Sequence, residues 1–218
     1  MSESKADPQS NVSMERSPAL RFVVGVLMVC VVLFGWYYVR GTWATSSPTY
    51  PSSPEEAITS VIVRNQDGQN EIQTAVVMPV SVEDAWKILS DYGEWERLFS
   101  TIKHLDEETE PLDEKRHHVV SDVVTPLGVL KLDFIVTHEE TSDGGYLAWW
   151  DAPTEELPVN RGEIRVKPQG PEKTLLVYSV HKDYRRYPQF VVYNMLLDHQ
   201  SDLVSTLRDR ITEAAREP

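Results

Sequence analysis

Six histidines, a serine near one of them and several adjacent acidic residues are where chemistry would have to start in this chain. His104, His117, His118, His138, His181 and His199 show no HExxH or other metal-ligand spacing. His117 and His118 are neighbours, and on a strand neighbours point to opposite faces. Ser201 follows His199 by two positions, a spacing that does not bring side chains together on a helix. No GxSxG elbow and no glycine-rich phosphate loop is present. The pairs Glu107-Glu108, Glu139-Glu140 and Glu155-Glu156 read as solvated turns or strand ends. Proton transfer in an apolar pocket would need a buried Tyr, His or carboxylate with a displaced pKa, which directs attention to Tyr178, Tyr193, Asn194 and His199. No metal site, no cofactor and no assigned catalytic residue follow from these patterns.

Composition narrows the partners. The 218 residues carry a formal net charge of -13, which repels nucleic-acid phosphates and anionic lipid surfaces. The one cysteine, Cys30, excludes an intramolecular disulfide framework and any multi-cysteine metal site. With 41% hydrophobic and 25% charged residues, a packed core is expected.

Phe22 to Val39 (FVVGVLMVCVVLFGWYYV) is free of charge, and eighteen residues of helix reach about 27 Å. Trp36, Tyr37, Tyr38 and Trp43 follow it as an interfacial belt. The expectation is a single transmembrane helix over residues 20–40, preceded by a disordered polar tail over 1–19. Residues 41–54 (GTWATSSPTYPSSP) read as an extended Ser/Pro-rich linker. Lys5, Arg16 and Arg21 precede the span and only Arg40 follows closely, so the positive-inside rule places the C-terminal domain outside the cytoplasm, in a periplasm or its equivalent.

The domain, residues 55–218, opens with two strands, Ile58 to Arg64 and Glu71 to Met78, separated by Asn65-Gln66-Asp67-Gly68. Ser81 and Asp84 have capping-box spacing, and Val82, Ala85, Trp86 and Leu89 form one helical stripe. A second short helix is expected over Glu94 to Phe99. Strands follow near Thr101–Glu108, Lys115–Val124, Val129–Thr141, Gly145–Asp151, Gly162–Pro168 and Thr174–Tyr184, joined by hairpin turns. Gln189 to Arg216 contains no Gly or Pro and reads as one long helix. Its apolar stripe is interrupted at His199 and Gln200.

This β-α-α-β(n)-α order resembles the helix-grip fold of the SRPBCC superfamily, which includes START lipid-transfer domains, polyketide cyclases and coenzyme Q-binding proteins. The local match is Met78 to Trp95 (MPVSVEDAWKILSDYGEW), followed by Phe99 and Ile102, and the resemblance covers about two thirds of the chain. It implies an α+β fold, a curved antiparallel sheet wrapped on the C-terminal helix with a cavity between them. Such a cavity suits a hydrophobic small molecule or lipid. Strand alternation then puts Val119, Leu132, Phe134 and Tyr178 on the cavity side, with Trp149 as the candidate wall of the Trp149-Trp150 pair. From the helix, Asn194, Leu196, His199 and Leu203 complete the expected lining. Three readings stay open: a membrane-tethered binding or transfer domain, a cyclase- or dehydratase-like enzyme, and an interaction module whose cavity is filled by its own side chains. The residues name no protein partner, and nucleic acid is excluded.

Overall fold

The structure is a computed structural model that describes residues 18–65, 67–106, 109–125 and 128–216, without the side chains at 18–21 and 24. The expected disordered tail lies largely outside the described residues, as do Glu107-Glu108 and the tip of the turn at 126–127. The chain divides into two compact units at Tyr37/Tyr38.

The first unit carries most of helix α1 (Pro18–Arg40). Its described apolar side chains are exposed around the helix, among them Phe22, Leu27, Val31 and Phe34. Among the described residues, no helix is long and apolar enough to cross a membrane.

The second unit begins with β1 (Ala44–Thr45), parallel to β2 (Thr59–Arg64), which pairs antiparallel with β3 (Asn70–Met78). Pro79 and a Ser81 cap then start α2 (Val82–Leu89), the Ser81 hydroxyl accepting from the Asp84 amide at 3.1 Å. A 3-10 turn (Tyr92–Glu94) leads into the single-turn α3 (Trp95–Leu98). The remaining strands are β4 (Ile102–Leu105), β5 (Glu110–Pro111), β6 (Arg116–Thr125), β7 (Gly128–Glu140), β8 (Tyr146–Asp151), β9 (Val159–Gly170) and β10 (Lys173–Asp183). Helix α4 (Gln189–Ala214) closes the chain, with Pro188 as its N-cap rather than inside its first turn. The sheet order is β1-β2-β3-β10-β9-β8-β7-β6-β4, with β5 paired on β6. Apart from the β1-β2 pair it is antiparallel throughout.

One face of this curved sheet is covered by the helices. Val76, Val119, Val136, Ile164 and Leu176 pack with Leu203, Val204 and Leu207 of α4 and with Ala85, Leu89 and Leu98 of α2 and α3. A second cluster joins Ile62, Ile72 and Val180 to Val192, Tyr193, Leu196 and Leu197 nearer the start of α4. Between these clusters the polar break in the α4 stripe is satisfied by the sheet. Gln200, 2% exposed, accepts from the Thr74 hydroxyl at 3.1 Å, and Thr74 shares a 2.8 Å bond with Ser60.

The linker departs from the sequence expectation of a solvated tether. Tyr50 packs on the opposite sheet face against Ala75, Val77, Leu175 and Val177, and its hydroxyl bonds Gln73. Covering an apolar patch that would otherwise meet water fixes this segment on the domain. At its start, Gly41 lies so close to the Phe190 carbonyl and the Asn194 amide of α4 that no Cβ fits. Tyr38 meets the Phe190 ring at 5.1 Å between centroids, and Arg40 pairs with Asp198.

Because Gln200 joins α4 to β3 by a buried hydrogen bond, Gln200→Met keeps the volume and removes the acceptor from Thr74. We expect a loss of about 1 to 2 kcal/mol, read as a lower urea midpoint with an unchanged m-value.

Candidate functional site

Direct cross-strand partners lie on the same face of an antiparallel sheet, so register fixes what points inward. Tyr178 pairs with Ile164, Lys182 with Asn160, Trp150 with Gly162, Phe134 with Val119 and Leu132 with Ser121. Most of these side chains, with Val123, wall a cavity that is roofed by Trp95, Phe99, Thr101 and Ile102 from α3 and the turn into β4. The free space is about 60 Å³ and partly open to solvent, room for about two waters. Gly162 is required by the wall itself, since a Cβ there would enter the Trp150 ring.

The walls are mainly apolar, and the polar groups on them are short of partners. Ser121 and Asn160 are 2% and 1% exposed. The Ser121 hydroxyl and the Asn160 Oδ1 make no hydrogen bond among the described residues, although Asn160 Nδ2 donates to the Ala152 carbonyl at 3.0 Å. Burial pushes the Tyr178 phenol well above its ordinary value. It also draws the Lys182 ammonium down to about 8, because the charged form loses hydration. His199 on α4 is half-buried, its pKa lowered by burial first and then by the Lys182 charge.

The expected lining residues therefore separate. Leu132, Phe134 and Tyr178 line the free space. Val119 and Leu203 lie in the large core cluster, and Leu196 in the one near the start of α4. Asn194 is buried where α4 meets Gly41, donating to the Phe190 carbonyl at 2.8 Å. Trp149 is 40% exposed and donates to Glu139 on the outer face, so the wall is Trp150. The free space is closed by α3 and the β4 turn, and no α4 residue is among its lining. Asn160 and Lys182 were not singled out by the sequence. β9 starts three residues earlier than expected, which brings Asn160 into the inward phase. Lys182 continues the apolar series Leu176, Tyr178, Val180, a visible signal of an inward lysine.

At the other end of the same face lies an aromatic cluster. The Tyr92 hydroxyl is 2.5 Å from His138 Nε2, His117 stacks on Tyr92 at 4.4 Å, and Trp86 stacks on Tyr146 at 5.0 Å. Burial lowers the His138 pKa to about 4, helped by the His117 charge, and burial lowers His117 as well. Among the described residues no group of His, Cys, Asp or Glu is arranged to hold a metal ion.

No family model and no curated protein matches this chain. Among solved structures it is similar to the human StAR-related lipid transfer protein 5, with a TM-score of 0.62 at 13% identity over 88% of this chain and 98% of that one. It is also similar to a STAR-related lipid transfer protein from Xanthomonas axonopodis, with a TM-score of 0.59 at 15% identity over 73% and 96% of the two chains. An aromatase/cyclase from a Streptomyces species gives a TM-score of 0.53 at 14% identity over 67% and 93%. These likenesses establish a START-like helix-grip fold.

The histidine cluster sets a pH dependence. His138 and His117 have folded pKa values below the unfolded value, so folding favours the neutral rings. That contribution is complete above about pH 6.5 and is lost as pH falls toward about 4, where His138 protonates. Thermal midpoints should drop across this window, and more steeply in the wild type than in His138→Gln, which keeps an acceptor for Tyr92 but does not titrate.

Proposed function

We propose that this chain is a membrane-tethered domain that binds or transfers a hydrophobic small molecule or lipid. The observation that carries the reading is a mainly apolar cavity on whose wall the Ser121 hydroxyl and the Asn160 Oδ1 are buried without a hydrogen-bond partner among the described residues. Unpaired buried polar atoms are costly unless something else meets them. The fold agrees, and so do the lipid-transfer names of two similar structures.

A space of about 60 Å³ is well below the roughly 300 to 1,000 Å³ of an ordinary ligand pocket. Uptake therefore requires Trp95, Phe99, Thr101 and Ile102 to move away from the sheet. Trp95, Phe99 and Thr101 lie outside the sheet ladder, on a one-turn helix and the turn after it, and Ile102 is the first residue of the edge strand β4, paired with Val123. Anchorage rests on the uncharged run Phe22 to Val39 and on the exposed apolar side chains of α1. The basic residues before that run support a C-terminal domain outside the cytoplasm. Tethering would hold the cavity at high effective concentration beside the bilayer.

The small free volume favours a second reading, a closed core in an interaction module. Tryptophan fluorescence separates the two, because Trp95 and Trp150 border the space. Titration of the full chain with 1-dodecanol should give a saturable change. Leu132→Phe, which fills the space, should weaken uptake by about tenfold or more, equivalent to about 1.4 kcal/mol. Leu203→Phe overpacks a closed part of the core instead, lowering stability by about 1 to 3 kcal/mol with uptake retained. An absence of any saturable response in the wild type would leave the filled-core reading.

A further inference from the structure

Lys182 is the single charged side chain among the described cavity-lining residues. None of the ion pairs among the described residues includes it. Its only resolved influence is loss of hydration. Lys182 is half-buried, and an ammonium drawn partly out of water without a counter-charge is stabilised when an anion completes the site.

The surroundings are prepared for an anion. Asn160 lies directly opposite Lys182 in the β9-β10 register, so their Cβ atoms are about 4.5 to 5.5 Å apart. With its Nδ2 bound to the Ala152 carbonyl, Asn160 keeps an Oδ1 acceptor that makes no hydrogen bond among the described residues. An amide oxygen can take one of the three ammonium protons and orient the group, leaving the other two for a ligand. No carboxylate is among the described cavity-lining residues, while the hydroxyls of Ser121 and Tyr178 add donors along its wall. This set repels a cationic head and leaves a neutral one with an unmatched charge beside it.

We infer that the cavity takes an acidic amphiphile, a long-chain carboxylate, whose head pairs with the Lys182 ammonium while its chain lies against Leu132, Phe134 and Ile164. The inference rests on the cavity being a ligand site, and it names the ligand's chemical class.

The test compares dodecanoate, 1-dodecanol and dodecylammonium on the full chain in nanodiscs, for the wild type, Lys182→Met and Lys182→Arg. Replacing an unpaired, half-buried ammonium by a Met of similar shape should not impair folding, and Lys182→Arg keeps the charge. The expected result is at least about tenfold tighter binding of dodecanoate than of dodecanol in the wild type, largely kept in Lys182→Arg and lost in Lys182→Met. Each ligand partitions into the nanodiscs equally for all three proteins, so partitioning cancels when the acid-to-alcohol affinity ratio is compared between them. Equal binding of acid and alcohol by the wild type and Lys182→Met, or a preference for dodecylammonium, would overturn the headgroup assignment while leaving apolar binding intact. Binding of none of the three would overturn the ligand reading itself.

Discussion

The pleat of one continuous sheet decides what this domain holds inside. Direct pairings carry a single inward phase from Ile62 and Ile72 through Val180, Gly162, Trp150 and Val136 to His117. A slip of one residue in any strand would turn its whole apolar set outward. Helix α4 and the α2-α3 pair then bury that face, and each polar residue on it must find a partner there. Thr74 does so with Gln200 and Ser60 with Thr74, and Tyr92 does so with His138. The Ser121 hydroxyl and the Asn160 Oδ1 do not, among the described residues.

That unevenness separates core from cavity. Where α4 lies on the sheet, Leu203, Val204 and Leu207 close the space with side chains. Under α3 and the turn into β4, the cover is Trp95, Phe99, Thr101 and Ile102, and a small void is left against the walls. Large aromatic residues form both roof and wall. Movement of a short roof segment would turn a nearly filled interior into an open one, whereas movement of α4 would disrupt both core clusters.

Much of this was legible in the residue order. Ser81, Pro79 and the Val82-Ala85-Trp86-Leu89 stripe define α2, and the alternation of Leu130, Leu132, Phe134 and Val136 gives the inward phase of β7 without coordinates. The Met78 to Trp95 segment carried the resemblance to the helix-grip fold. What escaped depends on distant pairing. Trp149 and Trp150 are adjacent and chemically alike, and only their registers with Glu163 and Gly162 decide that Trp150 faces inward, where the glycine leaves room for its ring. Asn160 was outside the expected strand because Pro158 and Asn160 read as loop residues. Asn194 was expected in the cavity as a polar residue on α4, but the close approach of Gly41 occupies it. The Tyr50 contact that fixes the linker is equally invisible in a Ser/Pro-rich composition.

The central claim is that an apolar molecule occupies the space between the sheet and the α3-β4 segment. Native mass spectrometry of the full chain released from a lipid membrane, followed by extraction and identification of whatever travels with it, tests this most directly. A near-stoichiometric apolar adduct, absent from Leu132→Phe prepared in the same way, is the predicted result. A bare mass for both proteins, unchanged after incubation with excess lipid and fatty acid, would contradict it.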